Sequence, residues 1–120
     1  MPNTKTYDLE QRTFEFAKAV RLVMKDIPYG NITADDIRQV VRSSGSIGAN
    51  YIEANESLSP KDFVYRAKIC RKEAKETIYW LRLLSESLPD VVDFGDLMKE
   101  AEELKLIFSS IIKKREQDNQ

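Results

Sequence analysis

The sequence predicts an all-α protein, an antiparallel up-and-down four-helix bundle. Three observations carry that reading. Apolar residues recur every three or four positions in four long stretches, strict strand-like alternation is absent, and three short breaks separate the stretches. The breaks are Ile27-Pro28-Tyr29-Gly30-Asn31, Ser57-Leu58-Ser59-Pro60 and Leu88-Pro89-Asp90. Connections this short force successive helices antiparallel, and near-heptad stripes suit crossings of roughly 20°.

The first helix is expected over residues 7–27, with Leu9, Thr13, Phe16, Ala17, Val20, Val23, Met24 and Ile27 on one face. The second is expected over 34–57, with Thr33 placed to cap it and Asp36 three residues on. Its middle, Arg42 to Glu56, has the composition of a loop. Yet Ile37, Val40, Val41, Ser44, Ile47, Gly48, Tyr51, Ile52 and Asn55 keep a helical beat straight through it. A glycine inside a helix costs roughly 1 kcal/mol relative to alanine, so Gly45 and Gly48 imply the close approach of a neighbour.

The third helix is expected over 60–87, started by a Ser59 cap, Pro60 at the first position and Asp62 two residues later. Its inward stripe is Phe63, Ala67, Cys70, Ala74, Thr77, Ile78, Leu81, Leu84 and Leu88. The fourth is expected over 94–115 behind Asp93, with Leu97, Ala101, Leu104, Phe108, Ile111 and Ile112 in register. The polar tail from Lys113 to Gln120 is expected to fray.

At 120 residues and 13.9 kDa the chain reads as one domain over residues 1–120. With 42% hydrophobic and 32% charged residues it has an ordinary soluble composition. No apolar run nears the ~20 residues that span a bilayer, and Met1 to Thr6 lacks a signal-peptide core, so a cytoplasmic location and no membrane partner are expected. Histidine is absent and Cys70 is the sole cysteine. Structural zinc sites, disulfides, Cys-His pairs and Ser-His-Asp triads therefore have no residues to build them. Neither catalytic residues, a metal nor a cofactor is expected. Cys70 falls in phase with the core stripe and reads as a small buried hydrophobe.

Net charge is −1, but it is unevenly spread. Residues 61–86 hold seven basic against four acidic residues, whereas 90–106 hold two against six. On a helical wheel Lys61, Lys68, Arg71, Lys72, Lys75 and Arg82 fall within about 100°, opposite the core face and beside Tyr65 and Tyr79. Such a stripe suits phosphate tracking. Its bland counterpart is a solvated face neutralised by Glu73, Glu76 and the acidic start of the fourth helix.

Several helices also carry more apolar residues than one core stripe needs. Phe14 and Leu22 are surplus on the first, Tyr65, Ile69, Tyr79, Trp80 and Leu83 on the third, and Leu106 and Ile107 on the fourth. In-line surplus of this kind marks a protein–protein surface and points to self-association. On the second helix Gln39, Arg42, Ser43, Ser46, Asn50, Glu53 and Ser57 share the polar side. Ser46, Asn50 and Glu53 are expected to meet a neighbouring helix or subunit, with Glu53 a partner for a cation of the third helix. No paired carboxylates or base-activated nucleophile stand there for catalysis.

The segment from Ser43 to Glu56, with Ser46, Ile47, Ala49, Asn50 and Glu53 at its centre, joins Lys61-Asp62-Phe63 and the Lys72 to Leu84 block. Together they resemble the bacterial four-helix-bundle proteins encoded in intervening sequences of 23S ribosomal RNA genes. The likeness runs from about Tyr7 to Ile112. It implies a left-handed up-and-down bundle assembled as a homopentamer, without catalytic residues. A similar fold serves the accessory proteins of diversity-generating retroelements, which are basic pentamers that bind nucleic acid and a reverse transcriptase. This chain differs from those in its pI near 5.6. Two function classes fit: an oligomeric RNA- or DNA-binding accessory factor using the third-helix stripe, or an oligomeric scaffold that binds a protein partner through aromatic surfaces.

Overall fold

The computed structural model describes residues 8–28, 30–88, 90 and 92–118. Helices α1 (Leu9–Met24), α2 (Asn31–Asn55), α3 (Pro60–Ser87) and α4 (Gly95–Asp118) follow one another, with no strand among the described residues. Consecutive helices pack together, α1 closes against α4, and diagonal pairs stay apart. The pairing is antiparallel: late-α2 Asn55 reaches early-α1 Glu10, and early-α3 Lys68 reaches late-α4 Glu116. The result is the expected up-and-down four-helix bundle.

The ends differ from expectation for local reasons. The expected start of the first helix at Tyr7 lies outside the described residues, as do Tyr29 and Pro89 of the breaks. Asp8 caps α1 by accepting from Gln11 N–H at 3.0 Å. After Met24 the chain tightens through i to i+3 bonds, from Asp26 N–H to Val23 and from Ile27 N–H to Met24. Ile27 thus reaches the core without being helical. Helix α2 begins three residues before the expected start at 34, behind an extended Gly30, and Thr33 is not its cap. No breaker stands between Gly30 and Thr33, so the helix propagates back to the glycine. Helix α3 starts as expected, with Ser59 Oγ accepting from Asp62 N–H. Asp93 accepts from Gly95 N–H at 2.8 Å to open α4, whose helix continues through Asp118 where fraying is expected.

The expected core stripes face inward except at the end of the α2 beat, where Ile52, at the α1 edge of its arc, and Asn55, in the last turn, are exposed. Phe108, Ile47, Leu81, Leu84, Leu104, Val20 and Val40 are fully buried. Tyr51 meets Phe108 edge-on across the bundle, with ring centroids 5.7 Å apart. Small side chains let α2 and α3 approach closely, and one polar pair lies between them. Ser43 Oγ and Thr77 Oγ1 are 2.8 Å apart and both residues are completely buried, so Ser43 belongs to the core and not to the polar side. The seam between α1 and α4 is clasped by Arg12, which forks onto Glu100 and Glu103 at 2.7–2.8 Å. Those hydrogen bonds, led by Glu100, hold its guanidinium even more firmly protonated than usual.

Candidate nucleic-acid interface

Helix α3 presents its basic stripe along one outward face. Lys61, Lys68, Lys72, Lys75 and Arg82 are exposed, and Arg71 is half-buried at the edge of the arc. Lys61, Lys68, Lys75 and Arg82 recur every seven residues and form one row. Tyr65, Lys72 and Tyr79 form a second row, each four residues beyond a member of the first. Seven helical residues advance about 10.5 Å, so the two rows make a ladder with regular rungs. Tyr65 and Tyr79 are 60% and 56% exposed, which leaves their rings open to a ligand.

The acidic neighbours do not neutralise this face. Glu73 and Glu76, expected to pair with the stripe, are both taken by Arg42 of α2, at 3.3 Å for Glu73 and by a short contact for Glu76. Glu100 and Glu103 of α4 are held by Arg12, and Glu102 by Lys105. Within the stripe and among the described residues, Lys68 alone has an ion pair, with Glu116 at 2.9 Å, and both side chains are about half exposed. Among the described residues Lys61, Arg71, Lys72, Lys75 and Arg82 make none. An exposed pair such as Lys68–Glu116 contributes only ~0–1 kcal/mol, so an incoming phosphate can replace it.

The residues assigned to assembly divide. Trp80 is half-buried, packs on the core and donates its indole N–H to Glu76 Oε2 at 3.1 Å. Ile69 and Leu83 are also half-buried, so these three do not extend an exposed aromatic surface. Ser46 Oγ donates to Arg42 O and Asn50 Nδ2 to Ser46 O, both within α2 and not to a neighbour. Glu53 is exposed and pairs with no cation among the described residues. The bridge between α2 and α3 runs the other way, from an α2 arginine to α3 glutamates, a pairing that the wheel of one helix alone cannot show.

A second feature escapes single-helix reading. Where the thin side of α2 meets α1, an apolar groove of about 500 Å³ opens over Thr13, Ala17, Gly45, Gly48 and Ala49, edged by Phe14, Leu22 and Ile52. These three edge residues are 50–60% exposed. Phe14, Leu22 and the 62%-exposed Leu106 therefore stand outside as expected, whereas Ile107 packs against the core.

Among the described residues no group of three His, Cys, Asp or Glu is placed to hold a metal ion. Cys70 is buried, and desolvation pushes its thiol up to about 12, leaving no thiolate to act as nucleophile near neutrality. No described helix is long and apolar enough to cross a membrane.

Comparison with known proteins agrees with this architecture. A family model described as 23S rRNA-intervening sequence protein matches residues 5–110. The chain is also similar to the crystal structure of a protein with unknown function from the S23 ribosomal protein family of Bacteroides thetaiotaomicron VPI-5482. Identity is 30%, the match covers 87% of this chain and 97% of that one, and the TM-score is 0.76. No curated protein sequence matches.

Proposed function

Because the chain belongs to the family of 23S rRNA-intervening sequence proteins, we propose that it is a non-enzymatic, cytoplasmic homo-oligomer that binds RNA or DNA through α3. One observation carries this reading: among the described residues five of the six stripe cations make no ion pair, and the carboxylates nearest Lys72 and Lys75, those of Glu73 and Glu76, are taken by Arg42. A local basic face suffices for phosphate contact even where the whole molecule is acidic, because screening confines the field to about 10 Å. Symmetric repetition in a homo-oligomer, expected to be a pentamer, multiplies such a face.

Replacing Lys68, Arg71, Lys72 and Lys75 together with Gln tests the reading. Binding to a mixed RNA and DNA pool is expected to weaken at least ~10-fold, and its dependence on log salt to flatten by roughly 0.7–0.9 per lost phosphate contact. Unchanged affinity and salt slope sink the assignment.

The exposed edge of the α1–α2 groove supports self-association, since Phe14, Leu22 and Ile52 gather where one surface can bury them together. Light scattering coupled to size exclusion is expected to return a mass well above 13.9 kDa, falling to the monomer in Ile52→Glu. A parent protein that is monomeric at micromolar concentration removes this part. The same groove favours the second reading, a protein-binding scaffold. Recovery of one defined partner after nuclease treatment, lost in Ile52→Glu with the oligomer intact, supports that alternative.

A further inference from the structure

The two rows on α3 are chemically different, and the difference selects among nucleic acids. We infer that the ligand is a single strand lying along α3, its phosphates on the Lys61–Lys68–Lys75–Arg82 row and its bases over Tyr65 and Tyr79. This rests on the nucleic-acid reading above and narrows it to one substrate class.

The argument starts from what each row can recognise. The cationic row is continuous over three heptads, a span of about 32 Å at 1.5 Å per residue. Cations alone serve duplex and single strand equally, since both present phosphates. The second row adds something a duplex does not use. Tyr65 and Tyr79 flank Lys72 at seven residues on either side, about 21 Å apart, each one turn from a lysine of the first row. More than half of each tyrosine is exposed, and neither makes a side-chain hydrogen bond among the described residues. Tyr79 is braced edge-on by Trp80 at 5.1 Å, and Trp80 is itself fixed by its bond to Glu76. That support orders the Tyr79 ring before any ligand arrives, so less entropy is lost on stacking.

A duplex keeps its bases paired and stacked inside, beyond the reach of flat rings on a helix surface. A single strand exposes base faces, and aromatic side chains beside a basic track are the recurring means of holding it, with little preference for sequence. Ribose and deoxyribose strands share this chemistry, so both are expected to bind.

The test uses the full-length protein and fluorescence anisotropy. The probes are a 20-nucleotide mixed-sequence RNA, the same DNA, the DNA duplex, and an abasic DNA strand of equal length. The parent is expected to prefer either single strand over the duplex and over the abasic strand. Tyr65→Ala with Tyr79→Ala is expected to lose roughly tenfold per ring on the single strands while duplex and abasic binding stay unchanged. Tyr65→Phe with Tyr79→Phe, which keeps the rings, retains the parent's affinity. Circular dichroism melting checks that each variant folds. Equal binding of duplex and single strand, with no effect of the alanine pair, overturns the single-strand inference but leaves phosphate binding standing. Salt-insensitive or absent binding to all four probes overturns the parent reading as well.

Discussion

Gly48→Ala is expected to destabilise the bundle, whereas Gly45→Ala, three residues away on the same helix, is expected to leave it unchanged or stabilise it. Both substitutions gain about 1 kcal/mol of helix propensity. What they meet differs. A Cβ at Gly48 lies 2.8 Å from Thr13 Oγ1, closer than such atoms tolerate, and a tight 3.1 Å from Thr13 Cβ. Thr13 cannot swing away, because its branched side chain is stiff and its hydroxyl shares its one proton between Leu9 O and Glu10 O. Helix α1 must therefore retreat. Overpacking of this kind costs ~1–3 kcal/mol, enough to reverse the propensity gain, and the larger Gly48→Val goes further. A Cβ at Gly45 meets only the far end of Arg21, 3.0 Å from its Nη2, and that flexible arm can move aside. Urea titration of both variants separates the cases. In a double-mutant cycle, Thr13→Ala is expected to recover part of the Gly48→Ala loss by removing the clashing oxygen. Equal effects of the two glycine substitutions refute the close-approach account of this helix.

That contrast shows what was legible in the sequence. Helical phase alone identified α2 through its loop-like composition and located the four core stripes, because burial follows the 3.6-residue period. It also marked the glycines as points of approach. It could not say which glycine was filled, since that depends on the rotation of α1 against α2. The same limit explains the other departures. Ser43 reads as polar on one helix, yet a buried hydroxyl is acceptable once Thr77 of the next helix answers it. Ile69, Trp80 and Leu83 look surplus on a single wheel but become half-covered once neighbours are placed. The Arg42 bridge joins residues 31 and 34 positions apart, and no periodicity within either helix encodes it. Of the candidate site, the basic arc was visible in full. The reason Glu73 and Glu76 leave its centre unpaired was not.

That reason leads to the second large expected effect. Arg42 lies on α2, outside the stripe, yet Arg42→Gln is expected to weaken nucleic-acid binding. In the parent its guanidinium spans two carboxylates, with Glu73 only 8% exposed and Glu76 also held by Trp80. Removing it leaves Glu73 nearly buried without its cation. The stability cost is about 1–2 kcal/mol, below that of a deeply buried pair because Arg42 itself is half exposed. Glu76 meanwhile lies one turn from Lys72, at the i, i+4 spacing where opposite charges meet, and its carboxylate, left with Trp80 alone, competes with phosphate for the centre of the ladder. Arg42→Lys keeps the charge but cannot fork between two acceptors, so an intermediate loss is expected. The decisive variant adds Glu73→Gln and Glu76→Gln to Arg42→Gln. If released carboxylates are the cause, the triple variant regains parental affinity although it still lacks Arg42. Trp80 emission reports the local rearrangement independently, since the indole sits on Glu76 and is the sole tryptophan. Should the single Arg42→Gln variant bind as tightly as the parent, the glutamates do not govern the stripe and its freedom from ion pairs carries no functional weight.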